Sequence, residues 1–160
     1  MIAREVQWPR ALRANPYAPP MPERAWAVDR LVGARVARLG TVAPDGSARL
    51  VPLCFAGDET RLYSAVDHKP KSTTALARLA DITRTGRATL LVDHYDDRDW
   101  SVLWWVRASG PAVVHDPSDP HTAIGVDRLR DKYEQYRRTP PEGPVYSIEI
   151  ESLTWWKASP

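Results

Sequence analysis

Apolar positions fall into short runs of two different periods, separated by polar turn clusters. Residues 1–20 carry Pro, Arg and Asn with no sustained period and read as a flexible N-terminal arm, which leaves one folded domain over 21–157. Pro22 suits the first turn of a helix, Ala25, Val28 and Val32 share one helical face, and Gly33 can end it. Three strand-like runs follow: Arg35 to Val42, Arg49 to Phe55 and Thr60 to Val66. Between them stand the turn clusters Pro44-Asp45-Gly46-Ser47 and Gly57-Asp58-Glu59, so this part predicts an antiparallel meander. Ser72 is placed to cap a helix over Thr73 to Ala80, with Leu76, Leu79 and Ala80 on one side. Arg87 to Asp93 is a fourth strand, followed by a polar loop from His94 to Asp99. Val102 to Val114 is long and apolar, and Gly110-Pro111 inside it predicts a bent or bulged strand. Asp119-Pro120 opens another helix, whose apolar stripe is Val126, Leu129, Tyr133 and Tyr136. Val145 to Trp156 alternates, with Tyr146, Ile148 and Ile150 set against Ser147, Glu149 and Glu151.

Six strands with few, short helices predict a mainly β fold with flanking helices, in the form of a closed or half-closed antiparallel barrel. Strand and helix do not alternate regularly, which argues against a doubly wound α/β fold.

Composition refines this picture at a few points. The 160 residues fit one domain that buries a core without metal or disulfide staples. Seven Trp residues include the adjacent pairs Trp104–Trp105 and Trp155–Trp156. Neighbours in a strand point to opposite faces, so one member of each pair needs cover from a partner subunit or a flat ligand. A net charge of +2, with acids and bases mixed along the chain, argues against nucleic acid as a partner. The single cysteine, Cys54, excludes an internal disulfide and fits a reducing compartment. No apolar run approaches the roughly 20 residues of a membrane helix. The N-terminus lacks an apolar signal core, so a cytoplasmic protein without membrane attachment is expected.

Three stretches suit ligand chemistry. Asp67-His68-Lys69-Pro70-Lys71-Ser72-Thr73 leaves a strand and enters a helix. A helix start offers free N–H groups and the positive end of its dipole, and Lys69, Lys71, Ser72 and Thr73 add charge and hydroxyls on the same approach. That is a phosphate site, or else a solvated turn with an ordinary cap. In Leu50-Val51-Pro52-Leu53-Cys54-Phe55 the proline cannot donate to a ladder, so the stretch is an edge or a bulge able to bond a planar heterocycle; a core strand is the plainer reading. Trp100, Trp104, Trp105 and Arg107 suit either stacking on a flat ring or packing at a subunit interface. Asp93, His94, Asp96, Asp97 and Asp99 lack the glycine and terminal glutamate of a calcium loop and read as a solvated turn. The four histidines have no zinc-type spacing, so no metal is expected. Nucleophile-elbow, dinucleotide and P-loop patterns are all missing from the sequence.

Taken in order, Arg35-Val-Ala-Arg-Leu-Gly-Thr-Val-Ala-Pro-Asp-Gly-Ser-Ala-Arg-Leu-Val-Pro-Leu-Cys-Phe55 resembles the opening hairpin of the pyridoxamine 5′-phosphate oxidase-like superfamily. The segments Val66-Asp-His-Lys-Pro-Lys71, Leu79-Ala-Asp-Ile82, Leu91-Val-Asp-His-Tyr-Asp-Asp97 and Trp100-Ser-Val-Leu-Trp-Trp-Val-Arg107 are similar to its F420-dependent branch, the flavin/deazaflavin oxidoreductases of the B type. The resemblance runs from about Met21 to Trp156 and implies a six-stranded split β-barrel, the FMN-binding split barrel. It implies a homodimer with two cofactor sites at the subunit interface. The phosphate would then lie at Lys69, Lys71, Ser72 and Thr73, the ring would lie against Val51, Pro52, Leu53 and Cys54, and Trp100 would approach from the partner chain. Thr85-Gly86-Arg87 departs from the Asn-Pro-Arg common in relatives, which implies a changed local turn. The implied function is an F420-dependent oxidoreductase passing a hydride between the deazaflavin and an unsaturated small molecule. An FMN-dependent oxidase or reductase and a non-catalytic F420 carrier are the alternatives. Arg61 and Arg78 suit the acidic tail of F420, or are solvated surface charge.

Overall fold

The computed structural model describes residues 21–66 and 73–158, with side chains described outside 21–22 and 73–76. The expected arm over 1–20 lies outside the described residues. The chain runs α1 (Met21–Gly33), β1 (Ala37–Val42), β2 (Ala48–Leu53), β3 (Ala56–Gly57), β4 (Arg61–Ala65), α2 (Thr73–Thr85), β5 (Arg87–His94), β6 (Trp104–His115), α3 (Pro120–Lys132), α4 (Glu134–Arg138), β7 (Val145–Glu149) and β8 (Ser152–Lys157). The strands form one antiparallel sheet in the order β2-β1-β5-β6-β7-β4-β3, with β8 also on β6. This is the expected mainly β, half-barrel architecture with flanking helices.

Strand β6 is the spine. One edge pairs with β5 from Trp104 to Pro111. The other edge pairs with β8 over Trp104–Ser109 and then with β7 over Ala112–His115. The sheet changes partner at Gly110-Pro111, where the sequence predicts a bend. A Cβ on Gly110 would lie 2.0 Å from the Glu149 carbonyl oxygen and 2.9 Å from the Glu151 nitrogen, so only glycine lets the strands cross this closely. The same event splits the run expected as one strand over Val145 to Trp156. Ile150 and Glu151 leave the ladder, with Ile150 N–H donating to Thr60 O and Glu151 N–H to Ser109 O. That split and the two-residue β3 turn the six expected strands into eight.

The core is aliphatic and aromatic: Leu31, Leu39, Phe55, Leu62, Ile82, Leu90, Val92, Val106, Tyr146 and Ile148 are buried between the curled sheet and helices α1 and α2. Helix α1 enters it through Ala27 and Leu31, one turn apart, whereas Ala25 of the expected face is exposed and Val28 and Val32 are half-buried. Helix α2 continues beyond the expected Ala80 to Thr85 because Asp81 and Ile82 also face inward. Gly86 ends it at φ +64°, its N–H bonded to Ile82 O, so the departure at Thr85-Gly86-Arg87 is a helix-terminating glycine. Ser147, expected outward, is buried because α3 covers the second face of β7.

Asp119 caps α3, its carboxylate accepting the His121 N–H. The predicted stripe crosses a break at Tyr133, between α3 and α4. There the buried Tyr133 hydroxyl accepts the Phe55 N–H at 3.1 Å and lies 2.8 Å from both the Phe55 and Arg35 carbonyls, between which its single proton is shared. Burial pushes its pKa up to about 12.

Candidate functional site

Among the described residues, strand β2 pairs only with β1 and forms one edge of the sheet. Pro52, which has no N–H to give a ladder, is exposed on that edge. Leu53 is buried, Val51 is half-buried against the core, and Cys54 is half-buried where the chain leaves the strand. The edge reading of this stretch holds at Leu50 and Pro52, and the core reading holds for Leu53 and Phe55.

From Cys54 a chain of contacts leads to α2. The Cys54 carbonyl accepts the Ser64 hydroxyl at 2.8 Å. Ser64 pairs with Tyr146 across β4 and β7. The Arg78 guanidinium lies 6.0 Å from the centroid of the Tyr146 ring. Arg78 Nε is buried without a hydrogen-bond partner among the described residues, and the buried Tyr146 hydroxyl lies beside the Ser64 side chain. An unpaired buried donor is costly unless something satisfies it. The first half of α2 therefore stands beside the exit of β2 and brings an unspent guanidinium N–H with it.

Helix α2 is anchored from its other half. The Asp81 carboxylate, with a side chain only 2 % exposed, accepts Thr41 Oγ1 at 2.9 Å and Arg49 Nε at 2.8 Å, with Arg84 at 3.8 Å. The Arg49 hydrogen bond holds its carboxyl below the ordinary value, against the opposing effect of burial. Thr73 is the first residue of α2; its side chain lies outside the described residues, as do Lys69, Lys71 and Ser72.

Trp100 sits in a single 3-10 turn between β5 and β6, capped by Asp99, and is 68 % exposed. The connection that carries it runs from β5 to β6, and β1 lies between β5 and edge strand β2. The tryptophan pairs divide as alternation requires. Trp155 is buried, and Trp156 is 43 % exposed on the outer face beside Trp105. Leu50, 70 % exposed, and Pro52 lie on that face, as do the Arg38–Asp93 ion pair and Arg107, whose guanidinium is 5.8 Å from the Trp105 ring.

Arg61 is engaged within the protein. It donates to Glu149 at 3.0 Å and sits 3.3 Å from His121 Nε2, whose Nδ1 is 2.8 Å from the Tyr63 hydroxyl. Beside this cluster, His115 Nε2 meets the Ser147 hydroxyl at 2.8 Å and His115 Nδ1 meets Asp119 at 3.1 Å. The order is that of a hydrolytic triad, but Ser147 is only 3 % exposed within β7 and beyond reach of an acyl substrate. The trio ties β6, β7 and α3 together. Sequence spacing gave no signal for it, because Ser147 lies 32 residues from His115 and joins it only through the pairing of β6 with β7. No group of three or more metal-ligating side chains occurs among the described residues.

A sequence profile described as pyridoxamine 5′-phosphate oxidase matches residues 27–157. The chain belongs to the pyridoxamine 5′-phosphate oxidase family. No curated protein matches the sequence. Solved structures of similar fold include a conserved hypothetical protein from Mycobacterium tuberculosis, at TM-score 0.65 and 16 % identity over 83 % of each chain. An FAD-binding protein from Mesorhizobium loti matches at TM-score 0.61 and 18 % identity, over 82 % of this chain and 90 % of that one. A heme-binding protein from Mycobacterium smegmatis matches at TM-score 0.66 and 13 % identity, over 88 % of this chain and 55 % of that one. At these identities the likeness establishes the shared fold of this oxidase-family member.

Proposed function

We propose that this member of the family is a cytoplasmic, homodimeric F420-dependent oxidoreductase acting on an unsaturated small molecule. The observation that carries the reading is the buried, unpaired Arg78 Nε on the first half of α2, linked through Tyr146 and Ser64 to the Cys54 carbonyl where β2 ends. A donor of this kind fits an anionic phosphate, and an exposed strand edge fits a flat heterocycle. When bound, F420 supplies hydride transfer. The chain holds and orients the cofactor. Backbone groups at Val51, Pro52, Leu53 and Cys54 border its ring. Lys69, Lys71, Ser72 and Thr73, at the start of α2, take its phosphate, with Arg78 adding charge toward the acidic tail. Trp100 of the partner subunit covers the ring and excludes water. Arg61, already paired with Glu149, serves the fold instead.

The dimer reading is supported by the outer sheet face that carries Leu50, Pro52, Trp105 and Trp156. A second copy of that face would cover the exposed indole and leucine. Among the described residues no helix is long and apolar enough to cross a membrane.

A flavin reading is favoured by the description of two fold neighbours, from Mesorhizobium loti and Mycobacterium smegmatis, as FAD-binding. FMN would use the same phosphate corner and strand edge. A carrier of F420 would bind alike and turn nothing over. Parallel fluorescence titrations with F420 and FMN separate these readings. We expect F420 to bind at least about tenfold tighter, a difference of about 1.4 kcal/mol. Tighter binding of FMN would replace the F420 assignment with the flavin one, and binding of neither would overturn both. Bound F420 with no turnover across enones, quinones and nitroaromatics would leave the carrier.

A further inference from the structure

The inward-facing rows of the sheet do not end where the aliphatic core ends. On β5 the row Leu90–Val92 continues to His94. On β6 the row Ala108–Val106 continues to Trp104, and on β8 the row Leu153–Trp155 continues to Lys157. These three residues are neighbours across the sheet, since Trp104 pairs with both His94 and Lys157. Helix α1, which covers the core with Ala27 and Leu31, offers Trp26 and Arg30 at this end. A cleft of about 390 Å³ opens between them, bounded on its remaining side by Leu103.

We propose that this cleft is a second ligand site, for a planar aromatic carboxylate. Its volume falls in the range of small-molecule sites. The Trp26 and Trp104 rings meet edge to face at 5.9 Å and 84°, forming a corner. The Arg30 guanidinium sits 5.7 Å from one ring and 5.6 Å from the other. Two indoles thus hold it in place before any ligand arrives, which lowers the ordering cost of binding an anion. Among the described residues no carboxylate pairs with Arg30, whereas Lys157 is 3.4 Å from Glu23. The cleft therefore has one cation in excess, and its planar fork matches a carboxylate. His94 stacks on Trp104 at 6.1 Å and 23°, so this wall already accepts a flat ring. The carboxylate lies on Arg30, and the ring lies among the indole edges, His94 and Leu103. A packing plug at the end of a barrel would leave neither an open cleft nor an exposed guanidinium without a counter-charge.

The inference does not rest on the cofactor assignment: the cleft uses α1, β5, β6, β8 and the turn after Trp100, and shares no residue with the β2–α2 corner. Calorimetric titration of the full chain with 2-naphthoate, and with 2-naphthylmethanol as the uncharged control, tests it. We expect one naphthoate per chain, bound at least about tenfold tighter than the alcohol, as a charge-assisted hydrogen bond warrants. Arg30→Gln should abolish that preference, Lys157→Gln should weaken binding several-fold, and Lys71→Ala should leave it unchanged. Equal affinity for acid and alcohol, no binding at millimolar concentration, or unchanged binding in a folded Arg30→Gln variant would overturn the proposal. Loss of binding in Lys71→Ala would overturn it too, by moving the anion to the cofactor corner. Should Arg30→Gln fail to fold, the acid–alcohol comparison on the natural chain still decides.

Discussion

Arg49 Nε donates a 2.8 Å hydrogen bond to the Asp81 carboxylate, and this contact ties edge strand β2 to helix α2. The same carboxylate holds Thr41 of β1, so one buried charge fixes the two elements that frame the proposed cofactor corner. Replacing Asp81 by Ala leaves Arg49 and Thr41 without their acceptor. We expect a loss of about 3 kcal/mol, read from urea unfolding. The native pKa of Asp81 lies below its ordinary 3.8. A carboxylate lowered in this way stabilises the fold fully above its unfolded value, and that contribution disappears as pH falls through the native value. The acid limb of the stability curve below pH 4 should therefore be shallower in Asp81→Asn than in the natural chain. Parallel acid limbs would contradict this role.

Lys132 gives a slope of the same sign in a separate, alkaline window, because here it is the charged form that the fold disfavours. Its ammonium donates to Val32 O at 2.8 Å and lies 4.1 Å from the Phe55 ring centroid. Burial first, and then the neighbouring Arg35, push its pKa from 10.5 to about 8. Between these values the unfolded chain binds more protons than the native one, so stability rises with pH across that window. We expect the rise in the natural chain and its absence in Lys132→Met, followed by thermal unfolding at pH 7.5, 8.5 and 9.5. Matching slopes in the two proteins would show that Lys132 is not the group titrating.

Much of the fold was legible because its signals are local. Asp119-Pro120 caps a helix with its own side chain, and Gly110-Pro111 marks a bend because neither residue suits a regular central strand. The break at Ile150-Glu151 was not legible, since it depends on β6 exchanging one partner for another. Nor was the burial of Ser147, whose polar side chain faces His115 because α3 covers that side of β7. The site divides in the same way. The proline on the edge announced the exposed strand, but only the tertiary structure brings Arg78 to Tyr146 and Ser64 to the Cys54 carbonyl.

Gly110 is the sharpest steric test of the crossing. An added Cβ would collide with the Glu149 carbonyl and the Glu151 amide, both of which are backbone and cannot rotate away. We expect Gly110→Ala to lose about 3 kcal/mol or to fail to fold, whereas Gly33→Ala, with open space around its Cβ position, should be nearly neutral. Circular dichroism melts of the two variants make the comparison. Similar melting temperatures would argue against the close crossing.

The outer sheet face carries the dimer proposal. Trp156→Glu places a charge where a second copy would bury an indole, and Leu50→Glu does so at the edge strand. We expect both to shift the protein from dimer to monomer in light scattering, with secondary structure retained. A natural chain that is monomeric at micromolar concentration, or variants that stay dimeric, would move the interface elsewhere or remove it.

The central claim is that a phosphorylated, flat-ringed cofactor is held where β2 ends and α2 begins. The most direct measurement is a fluorescence titration of F420 into the natural chain and Lys71→Ala, with the dimer content of each followed by light scattering. We expect the variant to bind at least about tenfold more weakly while its assembly is unchanged, as loss of a charge-assisted phosphate contact requires. Unchanged affinity in Lys71→Ala, or no binding by the natural chain, would contradict the assignment.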